Sequence, residues 1–148
     1  SRTTLTGELI SAVARDTILK NSVSLGACQI KCDFLELGYE ISQKLGFAAA
    51  LFKVRVLDKL VGADEDEVYS FYLGASLECD VALARDALAD RITVGGKREL
   101  RDPMAHLLRK YSDKPVIELS DDEAARATAF GAIKIYERRK NKNDGEAL

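Results

Sequence analysis

The chain has 148 residues, 47% of them hydrophobic and 31% charged, with 22 basic against 24 acidic side chains for a net charge of −2. That length fits one domain with a real core, and the charge balance leaves no electrostatic footprint for nucleic acid. No apolar run reaches the length of a membrane span, and no basic n-region precedes an apolar h-region, so neither a membrane segment nor a signal peptide is expected.

The chain opens without Met on Ser1-Arg2-Thr3-Thr4 and reads as a piece of a longer protein. Arg2 to Leu5 is a short, Thr-rich, extended entry. Thr6-Gly7-Glu8-Leu9 then opens a helix expected to run to about Lys20, with Thr6 as N-cap and Glu8 in the first turn. Asn21 to Gln29 has no periodicity and carries Ser22, Ser24 and Gly26, which predicts a mobile loop. Lys31 to Leu45 predicts a second helix with Phe34, Leu35, Gly38, Ile41 and Leu45 on one face, ended by Gly46. A third helix follows from Phe47 to Leu60, ended by Gly62.

Asp64-Glu65-Asp66-Glu67 invites a metal or general-acid reading. Consecutive acids point in different directions around a helix, however, and they complement its N-terminal dipole. The stronger reading is therefore structural. The helix they open is predicted to extend from Glu65 to about Leu88, with Val68, Phe71, Tyr72, Ala75, Cys79 and Ala82 as its buried face and Gly74-Ala75-Ser76 as a thin waist.

Arg91 to Val94 predicts a buried strand, followed at once by Gly95-Gly96 and a new helical pattern. Strand, Gly-Gly, helix is a geometry that turns backbone N–H groups and a helix N-terminus toward a crevice, which suits a nucleotide or a phosphate. Lys97 and Arg98 stand where they could meet an anion. The next helix spans Arg98 to Tyr111, unless Pro103 is its N1 residue and it starts near Asp102. His106, the only histidine, is expected on this helix as a surface or satisfied residue rather than a base.

Lys114 to Leu119 predicts a second strand. Ser120-Asp121-Asp122-Glu123 is a capping box for the last helix, whose small residues Ala124, Ala127, Thr128, Gly131 and Ala132 predict close packing against a neighbour. From Glu137 the chain turns charged, and about 138–148 is expected to be a frayed, flexible tail. Cys28, Cys32 and Cys79 form no metal-like set and suit reduced thiols in a cytoplasmic protein. Nothing resembles a catalytic triad, a zinc set or a Walker loop. The fold class expected is helix-rich α/β with a parallel strand pair, and two or three strands need further strands from a longer chain.

Several stretches resemble one family. Thr3-Thr4-Leu5-Thr6-Gly7-Glu8-Leu9 is similar to a "TxLTGEL" segment of the 2-keto-3-deoxygalactonate kinases. Phe34 to Gly38 and Leu51 to Arg55 resemble that family's helical middle, and Tyr69 to Glu78 resembles its "FLSGLLIGAE" helix. Ile92-Thr93-Val94-Gly95-Gly96 with Leu100 resembles its late strand and turn, and Ala124 to Tyr136 its closing helix. The resemblance implies the C-terminal, nucleotide-binding lobe of an actin-like (ribonuclease H-like) ATPase fold. It also implies transfer of the γ-phosphoryl of ATP, with Mg²⁺, to the 6-hydroxyl of a 2-keto-3-deoxy sugar acid. In that scheme Gly95 and Gly96 bind the adenosine with Lys97 nearby, Thr6, Gly7 and Glu8 line the cleft, and Ala124 to Gly131 is a connecting helix. The family's "DxGSTN" and "PGTHxKW" phosphate loops are absent, so the catalytic residues and sugar site are expected in a missing N-terminal lobe, and this chain alone should be inactive. The alternative is a non-catalytic nucleotide-binding or interaction module; another sugar acid as substrate, and a homo-oligomer, stay open.

Overall fold

The computed structural model describes residues 4–26 and 29–145. Its helices are α1 (Thr6–Asp16), α2 (Cys32–Leu45), α3 (Phe47–Val56), α4 (Glu65–Arg85), α5 (Arg98–Tyr111) and α6 (Asp121–Gly145), with strands β1 (Ile92–Val94) and β2 (Val116–Glu118) between the later ones. A short 3₁₀ turn, Ile18–Asn21, follows α1, and a wide π turn, Leu57–Val61, ends α3 before Gly62. The class is helix-rich α/β with one parallel strand pair, as the alternation of patterns predicts.

The core is built on α4. Val68 through Leu77 are all buried, three turns with no solvent face. The amphipathic stripe expected there is therefore only part of the buried surface, and Cys79, placed on that stripe, is exposed. Burial on every side follows from α2, α3 and α5 packing around the same helix. The α2 contact is the closest, because Gly38 and Gly74 face each other's backbone. A Cβ on Gly38 would run into the Phe71 carbonyl, and one on Gly74 into the Leu35 carbonyl. Tyr39, Tyr72, Phe71, Leu35 and Leu73 fill the space around this crossing. The thin waist read from Gly74-Ala75-Ser76 is thus a helix–helix contact without side chains between the backbones. Tyr72 adds a tether: its hydroxyl donates to the Ile10 carbonyl at 2.6 Å and ties α1 to α4.

Four acids open α4, and they serve the helix end. The Asp64 carboxylate accepts from the Glu67 N–H at 2.9 Å, and Glu67 reaches back to the Asp64 N–H at 2.9 Å. Asp66 accepts from the Gln29 N–H at 2.9 Å and pins the preceding loop. This is a capping box plus a loop anchor.

Several boundaries differ from the sequence expectation. The first helix stops at Asp16 because the Thr17 hydroxyl turns back to the Val13 carbonyl at 2.6 Å and also accepts from the Leu19 N–H, which starts the 3₁₀ turn. Thr6 is the first helical residue and not the cap; the Leu5 carbonyl closes the first turn with the Leu9 N–H at 2.9 Å. On α2 the buried residues are Leu35, Gly38, Tyr39 and Ser42, while Leu45 is exposed. The fourth helix ends at Arg85, before Leu88. Helix α5 begins at Arg98, with Leu100 and Arg101 N–H groups both bonded to the Lys97 carbonyl, so Pro103 sits inside it rather than at N1. The N–H that Pro103 lacks would have met the carbonyl of Glu99, an exposed residue. β1 starts one residue later than expected and ends at Val94 as expected, while β2 starts two residues later and ends one residue earlier.

Helix α6 departs most. Its capping box forms, with Ser120 N–H to Glu123 at 2.8 Å and Glu123 N–H to the Ser120 hydroxyl at 3.3 Å. Beyond its start, no close packing follows among the described residues. Phe130, Ile133, Ile135 and Tyr136 are exposed, and no described atom lies within 4 Å of a Cβ built on Gly131. Small residues permit close approach but do not supply a neighbour. The helix also continues past Glu137 to Gly145. The extended entry at Arg2 and Thr3, Cys28, and the last three residues of the expected tail lie outside the described residues.

Candidate functional site

β1 and β2 run parallel, with Ile92 beside Val116, Thr93 beside Ile117 and Val94 beside Glu118. Both strands therefore end on the same side, and both lead into helices there. In open α/β sheets this is where ligands bind, because loops and helix N-termini converge at the carboxyl ends of the strands. The structure has a cleft of about 890 Å³ at this place, lined by Gly95, Gly96, Lys97 and Arg98 on one wall and by Leu119, Asp121 and Ala124 on the other.

The turn that shapes the cleft needs its glycines. Gly96 has φ +115°, a conformation L side chains rarely adopt, and nothing lies within 4 Å of a Cβ built there. The backbone is open to an incoming group at that point. Gly95 serves packing, since its Cβ would come to 3.1 Å from Leu119 Cδ1. Lys97 is exposed and its ammonium has no partner among the described residues, so it is free to meet an anion. Arg98 is committed to Asp102 at 3.0 Å, one helical turn on.

Arg101, which the sequence reading did not single out, holds the cleft's floor together. Its guanidinium donates to the Leu119 carbonyl at 3.0 Å, to Asp121 at 2.6 Å and to Asp102 at 3.1 Å. Its side chain is only 10% exposed although it belongs to a residue type usually solvated. The fork joins α5 to the end of β2 and the start of α6. No local signal marks Arg101, because its partners lie up to 20 residues away.

Thr6 and Gly7 come to the same neighbourhood. They line a second cavity of about 340 Å³ together with Asp80, Thr93, Gly95, Gly96 and Lys97. Gly7 is close enough that its Cβ would lie 4.0 Å from Leu100 Cδ1. The first turn of α1 receives no side-chain cap. Glu8 is exposed and lines neither cavity.

His106 is satisfied, as expected: its Nε2 lies 2.8 Å from Glu36 Oε1, and Lys110 reaches the other oxygen of the same carboxylate. The Lys110 ammonium holds the Glu36 carboxyl below its usual range, burial opposes, and His106 assists. Next to this pair Tyr111 donates to Glu40 at 2.7 Å and stacks on Tyr39 with ring centroids 4.2 Å apart. Burial, then the Glu40 carboxylate, pushes the Tyr111 hydroxyl's pKa up. The group is a brace between α2 and α5. Among the described residues no three His, Cys, Asp or Glu side chains converge as a metal site.

A family model for 2-keto-3-deoxy-galactonokinase matches residues 1–133. The chain belongs to this family. Its fold is similar to a crystal structure of a Sinorhizobium meliloti protein provisionally named a 2-dehydro-3-deoxygalactonokinase, with TM-score 0.69 and 23% identity over 88% of this chain. The likeness covers 45% of that protein, so this chain spans less than half of its length. No curated protein matches significantly.

Proposed function

We propose that this chain is the adenosine-binding C-terminal lobe of a two-lobe kinase with an actin-like ATPase fold. The parent enzyme transfers the γ-phosphoryl of ATP to the 6-hydroxyl of 2-keto-3-deoxygalactonate. The observation that carries the lobe assignment is the Gly95-Gly96 turn at the shared carboxyl end of two parallel strands, in a chain of this family.

The residues present fit a nucleoside. The cleft is roomy, Gly96 leaves the backbone bare, and Ala124, Ala125 and Ala127 offer a smooth apolar wall to a flat base. Lys97 can approach a phosphate as a point charge. Gly95 keeps the turn against Leu119, and Arg101 holds α5 and α6 at the spacing the cleft needs. Mg²⁺ takes one or two carboxylates besides the phosphates themselves, and we assign its protein ligands, with the sugar site and the catalytic residues, to the rest of the parent chain. When bound, the metal neutralises charge on the phosphates. This lobe's part is to orient the nucleoside and, by closing on its partner lobe, to exclude water. The parent is a cytoplasmic enzyme in this reading.

The test is phosphorylation of 2-keto-3-deoxygalactonate by the full-length parent with ATP. Turnover with this sugar acid supports the assignment. Binding of ATP without turnover on any 2-keto-3-deoxy sugar acid would replace it with a non-catalytic nucleotide-binding module.

A further inference from the structure

We propose that the Glu99 carboxylate reads the ribose of the bound nucleotide, accepting from its 2′- and 3′-hydroxyls, while the phosphates lie on the Lys97 side. The proposal rests on reading the Gly95-Gly96 cleft as a nucleoside site. Four charged side chains line that cleft: Lys97, Arg98, Glu99 and Asp121. Two of them are compensated. Arg98 donates to Asp102 at 3.0 Å, and Asp121 accepts from Arg101 at 2.6 Å. Lys97 and Glu99 are exposed, and the side chain of neither has a partner among the described residues.

These two uncompensated charges give the cleft a direction. Lys97 lines both the cleft and the adjoining cavity of about 340 Å³, whereas Glu99 lines the cleft and not the cavity. A polyphosphate is attracted by the ammonium and repelled by the carboxylate. Asp80, on the α4 wall of the smaller cavity, repels it as well, so the phosphates stop at the Lys97 rim. The uncharged nucleoside is left the Glu99 side, between the bare Gly96 backbone and the alanines of α6.

The chemistry of the carboxylate selects the part of the nucleoside it meets. An ionised Glu is an acceptor only, with two oxygens, and it suits a pair of adjacent donors. The vicinal hydroxyls of a ribose are such a pair, and dinucleotide-binding folds use an acidic side chain on the ribose in the same way. Glu99 has a competing role. It is the second residue of α5, in the first turn, where a negative charge also favours the helix N-terminus. That role is a matter of helix stability and does not distinguish one sugar from another.

The experiment uses the full-length parent and compares ATP with 2′-deoxy-ATP and 3′-deoxy-ATP, by calorimetric binding and, where there is turnover, by KM. Variants are Glu99→Ala, Glu99→Gln and Lys97→Ala. The unsubstituted protein should prefer ATP over each deoxy analogue by about tenfold or more, the worth of a hydrogen bond to a charged group. Glu99→Ala should weaken ATP by about the same factor, leave the deoxy analogues nearly where they were, and so bring the ratio close to one. Glu99→Gln, which keeps one acceptor oxygen, should fall between. Lys97→Ala should weaken all three nucleotides alike and preserve the ratio, because it meets the phosphates. Equal binding of ATP and its deoxy analogues by the unsubstituted protein overturns the proposal, as does a ratio that survives in a folded Glu99→Ala. If that variant does not fold, the unsubstituted ratio and Glu99→Gln decide. Ribose discrimination lost with Glu99, in a parent that phosphorylates no sugar acid, would refute the kinase reading alone. Turnover with ATP and no ribose discrimination would refute the role of Glu99 alone, and a parent that binds no nucleotide would refute both.

Discussion

Gly96 and Gly38 show how differently two glycines work. Gly96 is required by its own backbone, with φ +115° in open space. Gly96→Val in the full-length parent should raise the KM for ATP by about tenfold or more while the fold survives, because the turn distorts at the surface. Gly38 is required by its neighbour, the Phe71 carbonyl. Gly38→Ala should cost about 3 kcal/mol or more in a denaturant melt, since two packed backbones must separate. A charged residue offers a third case. Glu36 is held below the usual carboxylate range by Lys110, against burial and with help from His106. A carboxyl depressed on folding stabilises above its unfolded pKa and loses that contribution as pH falls through its folded pKa. Urea midpoints should therefore fall below about pH 4. Glu36→Gln should flatten that slope in part, because Asp58, Asp102 and Glu123 are depressed as well.

At the scale of elements, the sequence announced what local chemistry controls. The capping box of Ser120 with Glu123 is a four-residue signal, and it forms; the acids from Asp64 to Glu67 read as a helix start, and there Asp64 and Glu67 make a second box. The Gly95-Gly96 turn follows a β-branched strand and was legible for the same reason; of the expected α2 face, Leu35 and Gly38 are buried while Leu45 is exposed. Features set by distant partners were not legible. Thr6 looks like a cap, yet the first turn of α1 closes on the Leu5 carbonyl. Arg101 gains its role only when β2 and α6 arrive. Full burial of Val68 to Leu77 needs three helices around α4, which no period along one helix encodes. The small-residue pattern of α6 suggested a tight contact that is absent within the described residues. Gly131→Leu in this chain should therefore leave the thermal midpoint unchanged or raise it slightly, by the better helix propensity of leucine, about 0.8 kcal/mol. A drop of several degrees would show that a neighbour packs there.

For the whole molecule, the chain spans less than half the length of the solved structure it is similar to. A helical body around α4 carries a two-stranded sheet, and one end of that sheet opens into a cleft lined by Gly95, Gly96 and Lys97. The family and the helix-rich α/β class were both readable from ordered segments spread along the chain. The cavity that joins Thr6 and Gly7 to Gly95 and Gly96 was not, since about ninety residues separate the two stretches and α4 brings them together. The most direct test of the central claim is phosphorylation of 2-keto-3-deoxygalactonate by the full-length parent, assayed over a range of ATP concentrations with and without Gly96→Val. The account predicts ATP-dependent formation of the 6-phosphate and a raised KM for ATP in the variant. No product from the unsubstituted enzyme, or an unchanged KM in a folded variant, would contradict it.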